Sequence, residues 1–269
     1  GTILNFSEDS YLIVKGNISF IGKEDEKIQF VSTGKSWKGF YLISDGDSKS
    51  KIMNLVVKNT SATQDGILNL TGGFSIYNSN ISIQNLYISD SKAEDSINII
   101  NSKINIDNLI VENSISDGFD CDFCSGAIKN LSFNEIGGDA IDFSGSSVNI
   151  YNANISNVKD KAISVGEKSY IKISDSSFLN VGVGVASKDS SETYLSNSVI
   201  KDFELYAVMT YQKKKIFGSE SYLYLKNIDI EGDNPYISQK GTNLFVNDVK
   251  ISEADLNVEE MYSQGVMKK

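Results

Sequence analysis

A polar residue returns about every 22 positions in this chain, each time in the same local setting. The positions are Asn54, Asn85, Asn108, Asn130, Asn152, Asp175, Asn197, Asn227 and Asn247. Each follows a short alternating run, such as Ile104-x-Ile106 or Val148-x-Ile150, and leads into a second one. A further polar column trails it by five residues: Asn59, Asp90, Asn113, Glu135, Asn157, Asn180 and Asp202. Period-2 strands with a polar corner at a fixed repeat are the pattern of a parallel β-solenoid. In such a stack equivalent positions lie about 4.8 Å apart, so a site can be read as columns. The expected fold is therefore all-β: a right-handed parallel β-helix of about nine or ten coils, with a cap at each end and a short C-terminal helix.

Composition narrows the functions. The net charge is −10, and the chain contains neither arginine nor histidine. Nucleic acid, which needs a basic stripe, is excluded as a partner. A histidine base, an arginine clamp and a zinc site of ordinary histidine type are excluded too. Pro235 is the single proline, as a stack of mutually paired strands requires. No apolar run approaches the roughly 20 residues of a membrane span. Gly1-Thr2 reads as the edge of an excised piece, so the lack of a visible signal peptide carries no weight. Cys121 and Cys124 form a lone C-x-x-C without a second pair. Alternation groups Cys121 with inward Phe119 and Phe123, which favours small buried residues near a corner over redox or metal chemistry.

Along the chain, residues 1–38 read as irregular N-terminal capping coils, with Trp37 covering the exposed edge. Residues 39–251 form the regular helix. Two spacings are stretched: one by extra residues around Thr60–Gly66 and Thr71–Ser75, the other around Tyr211–Ser219. Both are expected to project as loops, the usual fate of solenoid insertions. Residues 252–269 form the C-terminal cap, helical to about Gly265, with Ser252 as N-cap and Glu253 and Asp255 in the first turn.

A third strand comes into register when the coils are aligned. It reads Asp117-Gly-Phe-Asp120-Cys-Asp122, then Asp139-Ala-Ile-Asp142-Phe-Ser144, then Lys161-Ala-Ile-Ser164-Val-Gly166, and so to Lys188 and Tyr211. Asp120 should stack on Asp142. Asp122 should share a column with Ser144, Gly166, Lys188 and Tyr211, while Asp117, Asp139 and Lys161 share the corner before the strand. Five aspartates on one patch repel unless a cation sits among them. Ca²⁺, which takes six to eight oxygen ligands, is the expected cofactor, held by Asp117, Asp120, Asp122, Asp139 and Asp142. Lys161 and Lys188 stand beside them as candidate catalytic bases. Glu167, Asp189, Tyr211, Lys213 and Lys214 are candidate substrate contacts. Calcium on a uronate carboxylate with a lysine removing the α-proton is a β-elimination site for an acidic polysaccharide or glycan.

These residues resemble the right-handed parallel β-helix superfamily with the pectate-lyase-like fold. More narrowly, Asp160–Ser169, Ser187–Ser190 and Tyr211–Gly218 resemble β-helix domains of bacterial surface proteins, some of which follow a CotH-type kinase-like domain. The resemblance implies an extracellular or cell-surface domain of a larger multidomain protein. Some lyases of this fold use an aspartate cluster for calcium and a lysine base, roles that would fall here to Asp120, Asp122, Asp142 and Lys161 or Lys188. Polygalacturonase-like hydrolases share a run resembling Gly138-Asp-Ala-Ile-Asp142, with paired carboxylates, but also carry a histidine and an Arg-x-Lys motif that are missing here.

The expectation is a calcium-dependent, lyase-like polysaccharide binder. The alternative is a non-catalytic structural or adhesion module whose charged columns serve solubility alone.

Overall fold

The structure is a computed structural model that describes all residues except 47, 48, 66, 67, 265, 266, 268 and 269. Gly66, in the first stretched spacing, and Gly265, at the end of the expected helix, lie outside the described residues.

The recurring polar residues turn the chain. All nine positions of the first column adopt left-handed backbone with φ between 46° and 60°, and all seven of the second lie between 53° and 60°. Asparagine and aspartate tolerate this region better than other side-chain-bearing residues. A single such residue bends a strand without ending it: Ser147–Gly166 runs as one strand through corners at Asn152 and Asn157. The corner amides also pair between coils. Asn85 donates to Asn54 Oδ1 at 2.7 Å, Asn108 to Asn85 at 2.8 Å, Asn152 to Asn130 at 2.7 Å and Asn227 to Asn197 at 2.9 Å. Where the second column carries Glu135, Asn157 instead donates to the neighbouring Asn134 at 2.7 Å.

About ten turns stack in this way, with parallel pairing between successive coils. One inward column runs Ile83, Ile106, Ile128, Ile150, Ile173, Leu195 and Leu225, all buried. Burying a Leu or Ile side chain contributes roughly 1.5–3 kcal/mol, so stability grows with coil number.

Several expectations are corrected. Trp37 does not cover an edge. It is fully buried, stacked on Phe6 at 4.0 Å between centroids, with its indole N–H donating to Lys58 O at 2.8 Å. The first insertion is narrower than expected: Thr63–Asp65 and Leu68–Leu70 form a hairpin, whereas Gly72–Tyr77 is a regular rung paired with Asp95–Ile100. Phe123 is not inward. The strand Asp117–Asp122 has ended, Phe123 takes φ 55°, and its ring lies 64% exposed. Cys121 and Cys124 are buried as expected, but they are joined by a disulfide.

The C-terminal segment departs most. Glu253–Ala254 adds a short strand to Ser238–Gln239, and the helix spans only Val258–Ser263. Its N-cap is Asn257, whose side chain accepts from Glu260 N at 3.1 Å, so Ser252 does not cap it. Leu256, Val258, Met261 and Tyr262 pack against Val183, Ala186, Met209 and Tyr211. These belong to the strand row carrying the aspartates and lysines, so the segment lies along that lateral face.

Candidate functional site

The third-strand row has the register read from the sequence. Asn98, Asp120, Asp142, Ser164, Ala186 and Met209 are successive partners in one column. Asp122 and Ser144 pair in the next, as do Ser144 and Gly166, and Lys188 and Tyr211. The Lys188 stem folds over Gly166, where an added Cβ would come within 2.7 Å of Lys188 Cε.

Sharing a face does not give these residues one role. Asp117 and Asp139 are buried and serve the turns. Asp117 Oδ1 accepts the Asp139 amide at 2.8 Å, in space left free by Gly138, where a Cβ would approach that oxygen to 1.9 Å. Asp139 Oδ1 accepts both the amide and the ammonium of Lys161, each at 3.0 Å. Lys161 also donates to Asp160 Oδ1 at 2.7 Å, is 1% exposed, and lies 5.5 Å from the Tyr262 ring centroid. Burial opposes its charge, but Asp139, Tyr262 and Asp160 outweigh burial and push its pKa above the ordinary lysine value. The Asp160 carboxyl is pushed up to about 7 by burial and by Asp139, against the pull of Lys161.

Lys188 is also buried. Its ammonium donates to Ser164 Oγ at 2.6 Å and lies 3.5 Å from Asp142 Oδ1. Burial lowers its pKa, yet the facing Asp142 and further groups push it up to about 12. A general base must be neutral to accept a proton, and Lys161 and Lys188 are both held charged. The base role expected for them does not fit this geometry.

The five expected metal ligands divide between different partners. Two of its five carboxylates, Asp117 and Asp139, face backbone amides and Lys161. Asp120, half-buried, is pushed up to about 9 by burial, then by Asp142, Asp122, Asp95 and Asp117, and so holds a proton at neutral pH. A hard cation needs ionised oxygens converging on one point. Among the described residues no group of three acidic side chains converges in that way, so the set does not fit Ca²⁺.

The substrate contacts divide similarly. Tyr211 is fully buried, and its hydroxyl pairs with that of Tyr262 at 2.7 Å. Asp189 is buried and anchors the second insertion, accepting the amides of Lys213 and Lys214 at 2.7 Å each. Glu167 pairs with Lys214, which with other contacts holds its carboxyl below the usual value despite burial. Lys213 lies over the Tyr262 ring at 4.2 Å.

The open remainder is Asp120, Asp122, Asp142 and Glu167, all partly exposed, with Lys188 beneath them. Burial, then Glu167 and Asp142, also raise the Asp122 carboxyl. Asn98 Oδ1 and Asp142 Oδ1, on either side of Asp120, are buried acceptors with no hydrogen bond among the described residues.

The sequence reading missed one charged feature, an outward aromatic and lysine ladder on the strand after the turn. It includes Tyr151, Tyr170, Lys172, Tyr194 and Tyr224. Outward alternation of these residues was the available signal.

Several solved structures align with this chain. A GH87 α-1,3-glucanase catalytic-domain variant in complex with nigerose aligns at TM-score 0.44 and 11% identity, covering 90% of this chain and 62% of that one. WceF of Pantoea stewartii, a glycan biofilm modifying enzyme with a tailspike-like parallel β-helix fold, aligns at TM-score 0.44 and 11% identity, covering 94% and 37%. An alginate lyase from Paenibacillus sp. str. FPU-7 aligns at TM-score 0.37 and 11% identity, covering 89% and 91%. The chain thus spans less than two thirds of the glucanase domain. No curated protein matches it significantly. No helix among the described residues is long and apolar enough to cross a membrane. The description of a right handed beta helix region matches residues 117–257, more than half of the sequence, and the chain belongs to that right-handed β-helix family.

Proposed function

We infer that the open part of the Asp face binds a polysaccharide and cleaves it by acid–base chemistry. Asp120 is the proton donor and Asp142 its partner carboxylate. The observation that carries this reading is the stacking of Asp120 on Asp142, with Asp120 pushed up to about 9. Two carboxyl groups on adjacent rungs, one protonated, are the ingredients of glycosidic hydrolysis. In the reaction Asp120 gives its proton to the departing glycosidic oxygen, while Asp142 takes a proton from the water whose oxygen forms the new bond to the anomeric carbon. With no histidine or arginine in the chain, sugar hydroxyls are held by Asp122 and Glu167, and the Lys188 ammonium faces Asp142 at 3.5 Å.

The lysines here are neutralised by partners: Lys161 by Asp139 and Asp160, Lys188 by Asp142, Lys214 by Glu167. The exposed groups are carboxyls, so a neutral glycan suits this part of the face better than a uronate chain. The Cys121–Cys124 disulfide supports an oxidising, extracellular setting.

The test is release of new reducing ends from a panel of neutral glucans and mannans. Asp120→Asn and Asp142→Asn should each abolish it, the first while leaving the melting temperature at or above wild type. Activity should fall as pH rises past about 9, where Asp120 loses its proton. No reducing ends and no binding from any polymer would leave the second reading, a non-catalytic adhesion module. That reading is favoured by the use of Asp117, Asp139 and Lys161 as structural rivets.

A further inference from the structure

Around the corner from the Asp face, past the turns at residues 167–169 and 189–191, the outward side of the next strand row carries a different chemistry. Tyr170 lies 38% exposed and Tyr151 42% exposed. Lys172, outward on the same strand as Tyr170, pairs in register with Tyr194, which stacks on Tyr224 at 4.8 Å with the rings 17° apart. The Lys172 ammonium lies 5.3 Å from the Tyr170 ring centroid and 5.9 Å from that of Tyr194. Lys129 lies 5.8 Å from the Tyr151 ring. A depression of about 360 Å³ opens between Tyr151, Tyr170 and Tyr194, with Ser174 and Ser196 also in its lining.

Two features separate this depression from a merely solvated surface. Its aromatic rings are held in place by their neighbours, offering flat apolar faces of the kind that C–H groups of a pyranose ring stack on. Its cations are also unspent: among the described residues no carboxylate pairs with Lys129 or Lys172, in contrast to the lysines of the Asp face. Glu192, the neighbouring carboxylate, instead accepts the Tyr194 hydroxyl. Lys172 is the sole charged residue lining the depression. Apolar rings for a sugar face, serines for its hydroxyls and an unpaired ammonium together specify the ligand.

We propose that the Tyr151–Tyr170–Lys172–Tyr194 surface is a second saccharide-binding site, specific for a carboxylate-bearing sugar, whose ring stacks on Tyr170 and whose carboxylate pairs with Lys172. It is independent of the chemistry assigned to Asp120 and Asp142, and it tethers an acidic chain beside the face proposed to act on a neutral one.

The experiment uses titration calorimetry at low salt with a galacturonate hexamer and a glucose hexamer as probes. Wild type should bind the galacturonate hexamer, release it as salt rises, and prefer it to the glucose hexamer. Lys172→Gln should weaken galacturonate binding about tenfold, the scale of one charge-assisted hydrogen bond, with an unchanged melting temperature. Tyr170→Ala should weaken it comparably, and Tyr170→Phe should retain it. Asp120→Asn and Asp142→Asn should leave it intact even if they abolish cleavage of neutral glycan. The proposal is overturned if wild type does not bind the acidic hexamer, if Lys172→Gln binds it as well as wild type, or if the Asp120 and Asp142 variants lose it.

Discussion

From Asn98 to Ser164 the outward column of the third-strand row is polar and partly open, while on the following rungs it becomes Ala186, Met209 and Ile237 and disappears beneath the C-terminal helix. The backbone is nearly the same in both halves. What differs is cover. In the open half, carboxyls crowd one another and one keeps its proton. In the covered half, Lys161, Lys188 and Tyr211 are buried and matched to partners, and have become part of the scaffold. Register decides which residues meet, but access to solvent decides whether they can do chemistry.

The covered half should respond most strongly to mutation. Lys161→Ala leaves the Asp139 and Asp160 carboxylates buried without their cation, and should cost about 3–5 kcal/mol in urea denaturation. A loss below about 1 kcal/mol would mean that this half is wet, and would erase the contrast. Next, Tyr262→Ala removes the hydroxyl partner of Tyr211 and should cost about 1–3 kcal/mol. It should also speed amide exchange in residues 205–211, and unchanged exchange would show that the helix does not cover the row.

The effect in the open half depends on pH and has the opposite sign. Asp120 has a folded pKa of about 9 against an ordinary aspartate value of 3.8. A raised carboxyl costs nothing while both states are protonated, below about pH 4, and costs progressively more as pH rises towards 9. Asp120→Asn removes that cost, so its melting temperature should match wild type near pH 3.5 and exceed it increasingly as pH rises to 8. A variant less stable than wild type at pH 8 would show that the carboxylate is wanted, as at a cation site.

The coil architecture was legible because the corner residues combine two requirements, a left-handed backbone and a ladder partner, that few side chains meet. Column membership of Asp120, Asp142 and Lys188 followed from that period. The direction of Asp117 and Asp139 did not, because a corner carboxylate can face solvent or the next amide, and Gly138 decides the matter only once the coils are stacked. The return of the C-terminal segment had a faint signal in Ala186 and Met209, apolar residues at outward positions that need a cover. The Cys121–Cys124 bond was missed because three-residue spacing permits a bridge only when a turn folds between the two thiols. Phe123 defeated alternation because the strand ends one residue before it.

The asparagine ladder has a direction. Asn85 donates back to Asn54, Asn108 back to Asn85, and Asn54 itself back to the carbonyl of Gly22. In these links the donor arrives with the later coil and the acceptor is already in place. Along these links a later coil docks on acceptors already in place, whereas the serine ladder runs the other way, the amides of Cys124 and Ser146 waiting for the hydroxyls of Ser146 and Ser169 on the coils that follow.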